Sequence, residues 1–98
     1  MIIRIVKMDF RPEEVGAFQE NFEKNKEKIR AFEGCEGLQL LRDINHPSRF
    51  FTYSFWQSTD HLEAYRKSEL FQGVWKFTKS LFADRAEAWS VNQLEHLP

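Results

Sequence analysis

The stretch FFTYSFW, residues 50–56, carries five aromatic side chains in seven positions. In a β-strand successive side chains point to opposite faces. Here the aromatics do not alternate cleanly with polar residues, so both faces of the strand are partly apolar. The first segment, IIRIVKMDF over residues 2–10, repeats the pattern. It is rich in β-branched and apolar residues and reads as a strand. Ile3 and Ile5 lie on one face, and Ile2, Val6 and Met8 on the other. A one-layer sheet exposed on one side should be polar there. This chain must therefore cover both faces of its sheet.

The helices supply one cover. Residues 12–32 predict a long helix: Pro12 suits its first position, Glu13 and Glu14 favour the positive end of its dipole, and Gly34 stops it. Val15, Phe18, Phe22, Ile29 and Phe32 form its apolar stripe, interrupted at Asn25. Residues 36–45 predict a second strand, with Leu38, Leu40, Arg42 and Ile44 on one face and Leu41 on the other. NHPSR, residues 45–49, is turn chemistry, and residues 49–57 form a third strand hairpinned to the second. Ser58 is a plausible N-cap for a helix over 59–67, and Ser68 separates it from another over about 69–82, whose stripe is Phe71, Val74, Trp75, Thr78 and Phe82. Residues 85–94 alternate as a last strand. The order β-α-β-β-α-β over a single domain, residues 1–98, is that of an α+β ferredoxin-like antiparallel sheet with helices on one face. The second apolar face is expected to pack on another copy of the same sheet, as a two-fold homodimer.

Composition removes several classes of function. The net charge is −1, with 30% charged residues, which gives no pull toward nucleic acid or an anionic membrane. No apolar run approaches transmembrane length, and the amino terminus is broken by Arg4 and Lys7, so a cytoplasmic location is expected. Cys35 is the lone cysteine, and the three histidines, His46, His61 and His96, show no metal-ligand spacing. No Gly-rich dinucleotide fingerprint follows a strand. No metal or flavin is expected. Ten phenylalanines in 98 residues exceed what one thin core needs and favour an interface or an apolar pocket.

The segment FFTYSFWQSTDHLEAYRKSELFQGV resembles the strand–helix signature of the antibiotic biosynthesis monooxygenase-like proteins, in the dimeric α+β barrel superfamily. The matching positions are Trp56 at the strand end, Ser58, and the Ser-x-x-Phe step of Ser68 and Phe71. Gly34 and Gly37 resemble the family's Gly-x-x-Gly entry to strand two. The resemblance implies a homodimer whose sheets form a barrel, with an apolar cavity between each sheet and its own helices. Several members use that cavity to oxidise electron-rich aromatics with dioxygen and without metal, flavin or haem. A deprotonated aromatic can give an electron to oxygen itself, so the protein need only supply a dry pocket, a base or hydrogen-bond partner, and a grip on the ring.

The resemblance implies a cavity-facing place for Tyr65, where a hydroxyl could hydrogen-bond a quinol oxygen. Trp75 falls where the haem-degrading branch carries its iron-ligating histidine; Lys7 and Tyr65 also depart from that branch, and an indole cannot ligate iron. Trp75 is expected as a cavity wall with Phe71. Asn25 either lines the pocket or is satisfied by a neighbouring backbone group, because a buried amide is costly unless paired. Tyr65 and Asn25 are thus the candidate catalytic pair. Trp56, His61 and Arg42 complete the candidate substrate-binding set. His61, in a first helical turn, has solvation as its alternative; Trp56 has packing; and Arg42 has an ion pair across the dimer or a place at the pocket mouth. The expected function is a monooxygenase acting on a small aromatic or quinol. A dimeric module that only binds such a molecule is the alternative.

Overall fold

The computed structural model describes residues 1–98. Four strands, β1 (Ile2–Asp9), β2 (Cys35–Arg42), β3 (Arg49–Trp56) and β4 (Glu87–Asn92), form one antiparallel sheet in the order β2-β3-β1-β4. Three α-helices, α1 (Val15–Arg30), α2 (Thr59–Arg66) and α3 (Glu69–Lys79), provide the connections around it. This is the expected ferredoxin-like α+β order.

Element ends depart from the sequence reading for local reasons. Pro12–Glu14 form a separate 3-10 turn before α1. The chain leaves α1 early: Phe32 N–H bonds to the Ile29 carbonyl, Cys35 N–H to the Phe32 carbonyl, and Gly34 takes a positive φ of 87°. Strand β2 stops at Arg42 because the Asp43 carboxylate accepts the backbone N–H groups of Asn45 (2.8 Å) and His46 (3.2 Å), which bends the chain out of the sheet. Helix α3 ends at Lys79 in tight i→i−3 bonds. Phe82 then bridges to Phe10, and Ala83 N–H bonds to the Asp9 carbonyl at 2.8 Å.

Register settles which residues share a face. Met8 pairs with Phe50 and is buried with it under the helices. The alternate residues of β1 therefore point to the uncovered face. There Ile5 lies between Tyr53 and Trp89, and Ile3 between Phe55 and Val91. Trp89 and Val91 are exposed, so this apolar face is open in the single chain.

The covered face holds two buried clusters. One joins Met8, Phe10, Phe18, Phe50 and Leu81. Phe10 stacks on Phe18 with centroids 4.2 Å apart. The other joins Ile29, Cys35, Trp56, Leu62 and Tyr65. Aromatic pairs of this kind contribute about 0.5–1.5 kcal/mol each beyond area burial. No helix is long and apolar enough to cross a membrane.

Candidate functional site

Two serine caps fix the roof of the site. Ser58 accepts the His61 N–H at 3.2 Å and starts α2. Ser68 accepts the Phe71 N–H at 3.1 Å and starts α3, while its hydroxyl donates to the Tyr65 carbonyl at 2.6 Å. One side chain thus ends α2 and begins α3, which sets Tyr65 and Phe71 edge to face, 5.2 Å apart. Phe71 in turn stacks on Trp75 at 5.9 Å. Helical spacing places Phe71, Trp75 and Thr78 along one side of α3, toward the sheet.

Beneath this roof is a cavity of about 430 Å³. Arg4, Val6, Thr52, Ser54 and Ala88 supply its floor from the sheet, and Phe18 and Phe22 a side wall from α1. Tyr65, Phe71, Trp75 and Thr78 line it from α2 and α3, and Glu63, Arg66, Lys67 and Gln72 supply further polar groups. A wider, more open groove of about 620 Å³ runs between α1 and the outer edge of β2, lined by Phe22, Arg30, Leu38 and Phe55 among others. The first space has the enclosure and aromatic walls suited to a small ligand.

Tyr65 is held by three rings: Trp56 stacked at 4.9 Å, with Phe32 and Phe71 edge-on. Burial, with a smaller contribution from Cys35, pushes its phenol well above the ordinary tyrosine pKa. Tyr65 is therefore a neutral hydrogen-bond donor at any physiological pH, and not a base. Its hydroxyl makes no hydrogen bond within the protein, yet no buried side-chain oxygen or nitrogen is left without a partner, so Oη is open to solvent space. Tyr65 is among the residues that line the cavity.

Tyr65, Phe71 and Trp75 are therefore brought together along the cavity. The other four candidates are placed elsewhere. Asn25 lies outside the cavity lining: its amide donates to the Asn21 carbonyl at 2.8 Å, so its polarity is satisfied within α1. Trp56 is fully buried behind Tyr65, its indole N–H donating to Ser54 Oγ at 2.9 Å. It supports the wall without forming it. His61 packs against Gly34 and hydrogen-bonds Ser58 through Nδ1 at 2.7 Å. Arg42 donates to the Pro47 carbonyl at 2.7 Å and lies over the Phe50 ring, which holds the β2–β3 turn. Lys7 points to the uncovered face and pairs with Glu87 at 3.5 Å.

The sequence reading overlooked the polar floor. Arg4 shares its face with Ile2, Val6 and Met8, a charge at an inward position, and that parity was the available signal. Nowhere do three or more His, Cys, Asp or Glu side chains gather as a potential metal site.

A family model for antibiotic biosynthesis monooxygenase matches residues 1–75. Among solved structures, an antibiotic biosynthesis monooxygenase superposes with a TM-score of 0.90 at 17% identity, covering 97% of this chain and 100% of that one. A conserved protein from Methanosarcina mazei Go1 gives 0.88 at 19% identity, covering 95% and 93%. A Mycobacterium tuberculosis protein gives 0.89 at 15%, covering 99% and 98%. At these identities the structural likeness speaks for the fold. Among curated proteins none matches the chain by sequence.

Proposed function

The chain belongs to the antibiotic biosynthesis monooxygenase family, and from that premise we propose that it is a cofactor-independent monooxygenase for a small aromatic or quinol-type substrate. The observation that carries the reading is Tyr65: a neutral phenol with no partner in the protein, beside a cavity walled by Phe71 and Trp75. In this reading the substrate ring lies against those aromatics, and Tyr65 donates to the substrate oxygen on which negative charge develops. That interaction favours loss of the activated carbon's proton to solvent water, which returns it at the peroxide stage. The carbanion passes one electron to dioxygen, and the resulting radical pair joins to form a carbon–oxygen bond. The peroxide regains the proton, then loses water to leave a carbonyl. The net change is CH2 + O2 → C=O + H2O. Both oxygen atoms are accounted for and no outside reductant is required.

One observation favours simple binding instead. Glu63, the sole carboxylate lining the cavity, is hydrogen-bonded to Arg66 at 3.1 Å, so no unengaged base faces the ring. Oxygen uptake with a hydroxylated anthrone decides between the two. Catalysis predicts uptake above the buffer rate and a Tyr65→Phe variant that loses turnover far more than binding, as an interaction made mainly in the transition state should. Binding alone predicts no uptake but a raised melting temperature with the ligand.

The same reading includes a homodimer through the uncovered sheet face, supported by the apolar rows around Ile5 and Ile3. A cytoplasmic location is supported only by the unpaired Cys35 thiol, which suits a reducing compartment.

A further inference from the structure

Arg4 is the one charged side chain that the sheet contributes to the cavity. Its neighbours along β1 on that face are Ile2 and Val6, and across the sheet it pairs with Ser54 and Ser90. Ser54 already accepts the Trp56 indole N–H. Arg4 Nη1 donates to Ser90 Oγ at 3.0 Å, its single hydrogen bond in the protein. A guanidinium carries five N–H donors, so most of its capacity is unused. No carboxylate lies within ion-pair distance of it, whereas the nearby Arg66 is engaged by Glu63.

The charges around the cavity are unequal. Arg4, Arg66 and Lys67 line it against one carboxylate, Glu63. Partial burial, and then the like charge of Arg66, hold the Arg4 pKa below its ordinary value, against a smaller opposing pull from Glu63. An arriving anion offsets the repulsion, and its hydrogen bonds replace the water it displaces. The fork of an arginine fits a carboxylate through two parallel hydrogen bonds, and such charge-assisted bonds are the strong ones.

We propose that Arg4 is the anion-binding group of this cavity, and that the ligand is a small aromatic acid whose ring meets Tyr65, Phe71 and Trp75 and whose carboxylate meets Arg4. This rests on the reading of the cavity as an aromatic site and narrows its ligand class. It does not depend on oxidation. Arg4 selects and orients, while Tyr65 faces the reacting part of the ring.

The test compares 2-naphthoate with its neutral isostere 2-naphthamide by titration calorimetry at pH 7, on wild type, Arg4→Gln and Arg4→Lys. Wild type should bind the acid roughly ten- to hundredfold more tightly than the amide, the range a charged hydrogen-bonded pair supplies. Arg4→Gln should erase the preference and leave amide binding unchanged. Arg4→Lys should retain part of it, having charge without the fork. Equal binding of acid and amide by wild type, or a preference that survives in Arg4→Gln, overturns the role of Arg4 while the aromatic cavity stands. Failure of both probes to bind wild type overturns the inference together with the cavity reading. A wild-type acid preference lost in Arg4→Gln, without oxygen uptake from any aromatic tested, upholds the inference and removes the monooxygenase reading. Should Arg4→Gln fail to fold, as seen by circular dichroism, Arg4→Met carries the same comparison. The wild-type acid–amide ratio tests the idea without any variant.

Discussion

The Ser54–Trp56 contact offers a measurable handle on the wall behind Tyr65. Trp56 is fully buried, and its indole N–H has Ser54 Oγ as its acceptor at 2.9 Å. Replacing Ser54 by alanine would leave a gap beside the cavity that water could fill, hiding the effect. Ser54→Val and Ser54→Thr avoid this. Both add the same bulk at a site that borders open space, both are β-branched, and they differ in the hydroxyl alone. Valine orphans a buried donor, which costs about 1–3 kcal/mol. For a domain of this size each kcal/mol shifts Tm by about 4–8 °C. The valine variant should therefore melt roughly 12 °C below the threonine variant, taking mid-range values. Urea denaturation followed by circular dichroism should give the same ordering. The indole stacks on Tyr65 at 4.9 Å, so the valine variant should also bind an aromatic ligand less tightly. Indistinguishable melting of the two variants would refute the claim that this bond restrains Trp56.

Three further outcomes follow from other parts of the molecule. Gly34→Ala should destabilise the protein by more than the roughly 1–2 kcal/mol of a left-handed residue, because an added Cβ would also run into the His61 ring; Gly16→Ala, with open space around it, should stabilise by about 0.4–1 kcal/mol, and thermal melting that ranks the two the other way would contradict this. The Asp43 carboxyl is held below its ordinary pKa chiefly by the Asn45 N–H; a depressed folded pKa contributes stability above the unfolded value of about 4, lost as pH falls through the lower folded one, so Asp43→Asn should flatten the fall of Tm below about pH 4. If the proposed homodimer forms, Ile5→Lys, in the middle of the uncovered face, should sediment as a folded monomer where the wild type sediments as a dimer; a monomeric wild type, or unchanged sedimentation of the variant, would rule that face out as the interface.

The order of elements was legible because two periodicities carry it: alternation in the strands and a three-to-four spacing in α1 and α3. Their ends were less so. The exit from β2 at Asp43 depends on which way one carboxylate turns, and the end of α3 depends on Phe82 reaching Phe10 across the fold. In the site, the roof was readable from the Ser68–Phe71 step and its family likeness. Asn25 misled because a gap in an apolar stripe reads alike whether the amide faces a ligand or bonds back to its own helix. Arg4 is hard to read because a charge within an apolar strand looks like a break in the run, and only its parity with Val6 and Met8 places it inside.

The roof and floor of the cavity differ in how freely they can change. The roof rings belong to an unbroken series of contacts, Trp56 to Tyr65, Phe71, Trp75, Phe82 and Phe10, which joins the two buried clusters. A substitution at any of them perturbs a buried cluster as well as the packing of the roof. Thr52 and Ala88 on the floor stand outside that series and outside both clusters, and fill little volume. Evolution, or an engineer, seeking a new ligand shape has its cheapest moves there. The expectation for relatives that share this backbone is a roof kept aromatic for folding and a floor that diverges with each new ligand.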